Sequence, residues 1–265
     1  MHPTQIAELL QPFLSRISSL CHSESDPGPG EESAVLSPVD LQHISTYIDM
    51  LLHWNARINL TAIRNEREIV TRHFGESLFA ARHLFPRGRD REGEDVSSEP
   101  ACSKRSAPTS TDHGGGENRA LAPEARPVRV ADLGSGAGFP GIPLKLWAPN
   151  IALTLIESHQ KKSTFLREVS RALRLTDINI QAVRAETLPP SSFGVVTLRA
   201  VERLVDALPV AANLVAPSGR LALLVASSQL DQVHSTLPGL TWQPPIPIPE
   251  SRSRLLLVGS PEPGR

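Results

Sequence analysis

The sequence predicts an α/β fold, an open sheet with helices on both faces, preceded by an N-terminal helical extension. Three observations predict it. From Val128 onward, short apolar runs of strand character alternate with stretches of helical spacing. A glycine-rich turn, Asp132-Leu-Gly-Ser-Gly-Ala-Gly138, follows the first of those runs. Ahead of them, residues 1–86 carry helical periodicity, broken by Asp26-Pro-Gly-Pro-Gly-Glu-Glu-Ser33.

In the N-terminal region, Leu41, Ile44, Ile48, Leu51 and Leu52 give one helix face an apolar stripe. Ser37-Pro38 is the start signal, a capping hydroxyl followed by proline in the first turn. A second helix is expected from Glu66 to Leu84, with Ile69, Val70, Phe74, Leu78, Phe79 and Ala81 inward. Residues 87–127 are charged, then Ser/Pro/Thr-rich, then glycine-rich, and cannot bury enough apolar area to offset their ordering entropy. They read as a disordered insertion. Residues 128–265 form the sheet domain, with strands at Val128–Asp132, Ile151–Ile156, Ile178–Val183, Phe193–Leu198 and Arg220–Val225. Helices are expected from Gly141 to Trp147, Gln160 to Leu175 and Leu204 to Leu214, so the crossovers imply parallel pairing. Leu255–Val258 supplies a last strand, and the proline-rich Pro244–Pro249 an extended connection.

Bulk properties exclude more than they select. The net charge of -1 and the 40% apolar content describe an ordinary globular chain, not one coated in positive charge. Two cysteines, Cys21 and Cys102, form no CxxC pair, so neither a structural zinc nor a disulfide is expected and no metal is assigned. No apolar run reaches the roughly 18 residues of a membrane span. The expectation is a cytoplasmic protein.

The loop carries the chemistry. Glycine lets the backbone turn tightly and approach a ligand, and in an open α/β sheet this turn lies where ligands bind. A dinucleotide fingerprint wants Gly or Ala at the sixth position from Gly134, where Phe139 stands. The spacing is instead G-x-G-x-G after an acidic residue, the form that resembles the S-adenosylmethionine motif. Asp132 has two candidate roles, contact near the methionine moiety or an Asx-type turn stabiliser. Glu157, closing the second strand, suits either the hydroxyls of a ribose or the dipole of the following helix. Ala185-Glu186, past the third strand, is the analogous position for adenine.

Four runs together resemble one family. Trp54-Asn-Ala-Arg-Ile-Asn-Leu-Thr-Ala-Ile63, Arg72-His-Phe-Gly-Glu-Ser-Leu78, Asp132 through Pro143, and Leu198-Arg-Ala-Val201 closely resemble the RsmG (also called GidB) family, over residues 37–86 and 128–258. That family methylates N7 of a guanosine in bacterial small-subunit ribosomal RNA. The resemblance implies a Rossmann-like methyltransferase sheet and S-adenosylmethionine as cofactor. The cofactor residues would be Asp132, Gly134, Gly136, Gly138, Phe139, Glu157, Ser158, His159, Ala185, Glu186 and Arg199. Asn55, Asn59, Arg72 and His73 would face the target RNA. The chain departs from the family in three places. Gly75-Glu76 stands where Leu-Asp is usual, Ala226-Ser-Ser228 replaces a Lys-Gly, and the insertion at 87–127 is far longer than the family connection.

Guanine N7 has a lone pair and no proton, so its methylation needs alignment and not a general base. Arg199 is the candidate catalytic residue as a shaper of the acceptor pocket; its alternative role is an ion pair with Glu186 or Glu202. Basic residues concentrate at Lys161, Lys162, Arg167, Arg171 and Arg174, and at Arg57, Arg64, Arg67 and Arg72, either as RNA contacts or as solvated faces. Trp54 either stacks a base or, spaced with Leu51, joins the core. The expected partner is ribosomal RNA or the small ribosomal subunit, bound by a monomer with no membrane. Two other functions fit the same loop: a methyltransferase of a protein or small-molecule acceptor, and a cofactor-binding RNA module without catalysis. A nicotinamide oxidoreductase is disfavoured by Phe139 and by the absence of a hydride-relay residue.

Overall fold

The computed structural model describes residues 1–15, 36–87, 126–200 and 203–262. Cys21, Cys102, the Asp26–Ser33 break, nearly all of the 87–127 insertion, Val201 and Glu202 lie outside the described residues.

Helix α1, Pro3–Leu14, starts with proline in its first turn and buries Ile6, Leu10 and Phe13 along one stripe. Helix α2, Pro38–Asn55, begins with the expected cap made reciprocal: Asp40 N donates to Ser37 Oγ at 3.1 Å and Ser37 N to Asp40 Oδ2 at 3.0 Å. The helix expected from Glu66 to Leu84 is continuous but not uniform. It runs as α3, Glu66–Glu68, a π-helical stretch Ile69–Gly75, and α4, Glu76–Leu84. Wide turns arise where other groups compete for the ladder carbonyls. Here Thr71 Oγ1 donates to Arg67 O at 3.1 Å, Ser77 Oγ to His73 O at 2.5 Å, and Arg199 Nη2 to Arg72 O at 2.6 Å.

The sheet contains β1 Arg129–Leu133, β2 Ala152–Ile156, β3 Ile178–Gln181, β4 Phe193–Arg199, β5 Val215–Ala226, β6 Leu240–Trp242, β7 Ile246–Pro247 and β8 Arg254–Pro261. Its order is β3-β2-β1-β4-β5-β8-β6, with β7 also on β8. Strands β1 to β5 are parallel, while β8 runs antiparallel to β5 and to β6. Strand order reverses between β1 and β4, which opens a crevice at their carboxyl ends. Among the helices, α5 (Gly141–Trp147), α6 (Gln160–Ala172) and α7 (Leu204–Leu214) fall where expected, α6 ending three residues early at an Arg174 with φ 50°. Helix α8, Leu230–Thr236, and strand β6 are additions to the expected pattern. Seven and three residues are too few to display a period. Pro247 pairs on β8 only through a two-residue edge strand, as a residue without an N–H must.

One hydrophobic cluster joins α1, α2 and α4 to α5, α6 and one sheet face, and a second packs α7 on the other face. The N-terminal helices therefore share the core of the sheet domain. Trp147 Nε1 donates to Phe85 O at 2.9 Å and Arg220 Nη2 to Leu84 O at 3.0 Å, which ties the end of α4 to the sheet. Among the described residues, no helix is long and apolar enough to cross a membrane.

Candidate active site

The loop after β1 is clipped to the end of β2: Gly134 N and Ser135 N donate to Ile156 O at 2.9 and 3.1 Å. Two of its glycines do different work. Gly136 has φ +55°, and a Cβ there would meet only Gly134 O at 3.7 Å, so the space beside it is open. Gly138 has φ +88°, and a Cβ there would press on the Tyr47 hydroxyl and on Ile142 Cδ1 at 2.8 Å. Gly136 can thus admit a ligand, whereas Gly138 lets helix α2 dock. Tyr47 Oη donates to Ala137 O across that contact.

Phe139 does not offer a face to a ligand. Its ring is stacked between Tyr47 at 5.3 Å and His73 at 4.7 Å, with Phe74 edge-on, and is 5% exposed. Both faces are covered, so the expected cofactor contact becomes a support for the loop. Of the two roles open to Asp132, its contacts fit the second. Fully buried, it accepts from Thr197 Oγ1 at 2.8 Å and Gly141 N at 3.1 Å, the turn-stabilising role. Burial lifts its carboxyl to about 6 despite those donors and the Arg199 charge.

Glu157 lies across the loop. Its Oε2 accepts Gly136 N at 2.9 Å and its Oε1 accepts His159 N at 2.8 Å. A carboxylate has roughly four lone-pair positions, so two remain for hydroxyl donors. Ser158 and His159 are exposed beside it. Across the end of β3, Ala185 is buried and Glu186 exposed, in a 3-10 turn Ala185–Thr187.

Arg199 ends β4 in a buried charge cluster. Its Nε and Nη2 donate to Glu76 Oε2 at 3.3 and 3.1 Å, and its Nη1 to His73 Nδ1 at 3.0 Å. Arg254 Nη2 reaches the same Glu76 oxygen at 3.3 Å. The ion-pair partner of Arg199 is therefore Glu76, not Glu186; Glu202 lies outside the described residues. Burial lowers the Arg199 guanidinium below its ordinary value, opposed by Glu76 and helped by the Arg254 and Arg72 charges. Since Arg199 donates to Nδ1, His73 is the neutral Nε2–H tautomer and donates to Thr61 Oγ1 at 2.8 Å. Burial, with Arg199, Arg72 and Arg254 nearby, lowers His73 to about 3. Leu198, Ala200, Leu204, Leu224, Val225 and Gln229 line a space of about 30 Å3 beside Arg199 and Arg254. Ala200 holds φ +51°, a strained backbone for alanine.

The four residues expected on the target side divide. Asn59 and Arg72 are exposed. Asn55 is 4% exposed and spent on its own loop, accepting Leu60 N at 2.8 Å and Thr61 N at 3.0 Å and donating to Thr61 O at 2.9 Å. His73 is 7% exposed with both nitrogens bonded. Asn55 and His73 are therefore corrected from contacts to supports. Trp54 packs edge-on to Phe165 and donates Nε1 to Glu168 at 3.1 Å, its core role. Sequence reasoning did not single out Tyr47, Thr197 or Arg254, and noted Glu76 only as a departure. Only Glu76 left a signal, a carboxylate on a mostly inward-facing helix. Among the described residues, no group of three or more His, Cys, Asp or Glu could hold a metal.

A profile of the GidB family, described as rRNA small subunit methyltransferase G, matches residues 40–98 and 120–241. The chain belongs to this family. It is similar to proteins named ribosomal RNA small subunit methyltransferase G in several bacteria. The Bacillus pumilus protein is 30% identical over 210 residues, 77% of this chain and 72% of its own. The Bacillus cytotoxicus protein is 30% identical over 251 residues, 86% of each, and the Halorhodospira halophila protein 32% over 184, 69% and 68%. As a GidB member, the chain is a methyltransferase whose methyl donor is S-adenosylmethionine. The match leaves out residues 99–119, within the stretch read as an insertion.

Proposed function

We propose that this chain transfers the methyl group of S-adenosylmethionine to N7 of a guanosine in small-subunit ribosomal RNA. One observation carries the proposal: in a GidB chain, the open Gly136 cradle, Glu157 and Arg199 converge on the crevice where the strand order reverses. The cofactor fits that crevice. Gly136 leaves open space for the ligand, and Glu157, beyond its bonds to Gly136 N and His159 N, keeps acceptor capacity for a ribose. Ser158 and His159 would flank the ribose, and Ala185-Glu186 would take the adenine side.

Bound S-adenosylmethionine supplies a methyl carbon made electrophilic by its sulfonium. No residue has to remove a proton, because N7 carries none and donates its lone pair directly. The protein's work is alignment, worth up to about 7–11 kcal/mol when reacting atoms are held in line. Arg199, gripped by Glu76 and His73, shapes the acceptor side, while Asn59 and Arg72 meet the RNA. All these groups come from one chain, so the site as read needs no second copy, and the reading is of a monomer acting on ribosomal RNA in the cytoplasm.

Incubation with labelled S-adenosylmethionine and small ribosomal subunits lacking this modification tests the acceptor. Label released by ribonuclease and resistant to protease is expected. Protease-sensitive label, or none with the cofactor bound, would remove RNA as the acceptor.

A further inference from the structure

Next to the Arg199 cluster lies a second cavity, of about 220 Å3. A single water needs only roughly 10–15 Å3, so this space is ligand-sized. Its walls come from the π-helical stretch and the start of α4, through Thr71, Arg72 and Glu76, from Phe13 of α1, and from the turn 249–254. That turn leads into β8, whose first residue, Arg254, pairs with Ala226 at the end of β5. The cavity therefore opens at the carboxyl edge of the parallel strands, the edge that carries the glycine loop and Arg199. It lies on the β5–β8 side of Arg199, away from the loop between β1 and β2.

The charge of the lining is positive. Arg72, Arg252 and Arg254 face it with Glu76 and Glu250. Glu76 is shared by Arg199 and Arg254, two guanidiniums on one carboxylate, so that cluster itself keeps a surplus of positive charge. Donors also outnumber acceptors. Arg254 Nε is buried without a partner, which is costly unless an acceptor arrives. Ser251 Oγ accepts Arg254 N at 3.1 Å and keeps its proton to give. Arg72 and Arg252 are exposed and hold out guanidinium forks, the geometry that suits phosphate oxygens.

We propose that this cavity holds a backbone phosphate of the RNA strand beside the target guanosine, gripped by Arg72, Arg252 and Arg254. The proposal rests on the RNA methyltransferase assignment above. The path of the strand follows the sheet edge: the target base lies at the end of β4, and the adjoining phosphate sits beyond it over β5 and β8.

The test is binding of small ribosomal subunits lacking the modification to wild type, Arg72→Gln and Arg252→Gln, across a KCl series at fixed Mg2+. Arg171→Gln, on the exposed side of α6, is the control. Each cavity variant should weaken binding about tenfold and flatten the slope of log affinity against log salt by about 0.7–0.9, the loss of one phosphate contact. Binding of S-adenosylmethionine should stay as in wild type, and Arg171→Gln should match wild type throughout. Cavity variants with the wild-type slope would overturn the proposal, as would an equal loss in Arg171→Gln, which would mean a diffuse field. If wild type itself neither binds nor methylates subunits, the functional assignment fails and takes this proposal with it. If wild type methylates and the variants match it, only the phosphate site fails.

Discussion

At the scale of single residues, the site depends on one carboxylate. Glu76 is 3% exposed and answers two guanidiniums with one oxygen. Glu76→Gln should leave Arg199 and Arg254 buried without a counter-charge, a loss of about 3–5 kcal/mol. At ~2–4 °C per kcal/mol for a domain of this size, the melting temperature should fall by roughly 6–20 °C. Glu76→Asp, which keeps the charge and restores the residue usual in the family, should lose less; equal losses in calorimetry would exclude the charge as the cause. Glu157 invites a different measurement. If its free lone pairs take the ribose, Glu157→Ala should weaken S-adenosylmethionine by about 10–150-fold, the worth of a hydrogen bond to a charged group. Titration giving an affinity within twofold of wild type would end the ribose role. Glycine spacing and the acidic end of β2 were readable because they are local. The Arg199–Glu76 bond was not: 123 positions separate its ends, and nearby Glu186 looked the better partner. Asn55 and His73 carry the polar chemistry of contacts, but only the packed structure reveals that their donors and acceptors are spent.

Among elements, the glycine loop separates folding from binding. Gly136→Ala should cost about 1–2 kcal/mol of left-handed backbone strain and little else, since the space around it is open. Gly138→Ala adds a steric conflict with Tyr47 and Ile142, about 1–3 kcal/mol more. Both should lose cofactor affinity, but only Gly138→Ala should show a large drop in thermal stability. Retained affinity in Gly136→Ala would show that the open space is not the cofactor cradle. Strands and helices through β5 were legible from period and caps, because each is either buried on both faces or visibly amphipathic. The π-helical stretch was hidden, since one of the bonds that compete for its carbonyls comes from Arg199, far along the chain. Nor did four apolar residues at Leu255–Val258 say that β8 would enter antiparallel between β5 and β6.

For the molecule as a whole, two buried groups give stability an opposed pH dependence. Native His73 titrates near 3 and the unfolded chain near the ordinary 6.5. The unfolded state therefore takes the proton first, and stability is lost as pH falls from 6.5 toward 3, by up to ~1.4 kcal/mol per unit. Native Asp132 titrates near 6, above its ordinary 3.8. There the native state takes the proton first, and stability is gained as pH falls through the same range to about 4. Urea midpoints of His73→Gln should thus improve relative to wild type as pH drops from 6.5 to 4. Parallel curves would mean that His73 is protonated in the native state. The sequence separated the N-terminal helices from the sheet by composition, but not their shared core, which alone brings Arg72, His73 and Glu76 to the end of β4.

The most direct test of the central claim is to map the methyl group. Subunit RNA methylated by the purified enzyme would be treated with borohydride and aniline, which cleave the chain at N7-methylguanosine. A single new cleavage at a guanosine, absent without enzyme, is the predicted result. Stoichiometric label in the RNA with no such cleavage would contradict the account and place the methyl on another atom.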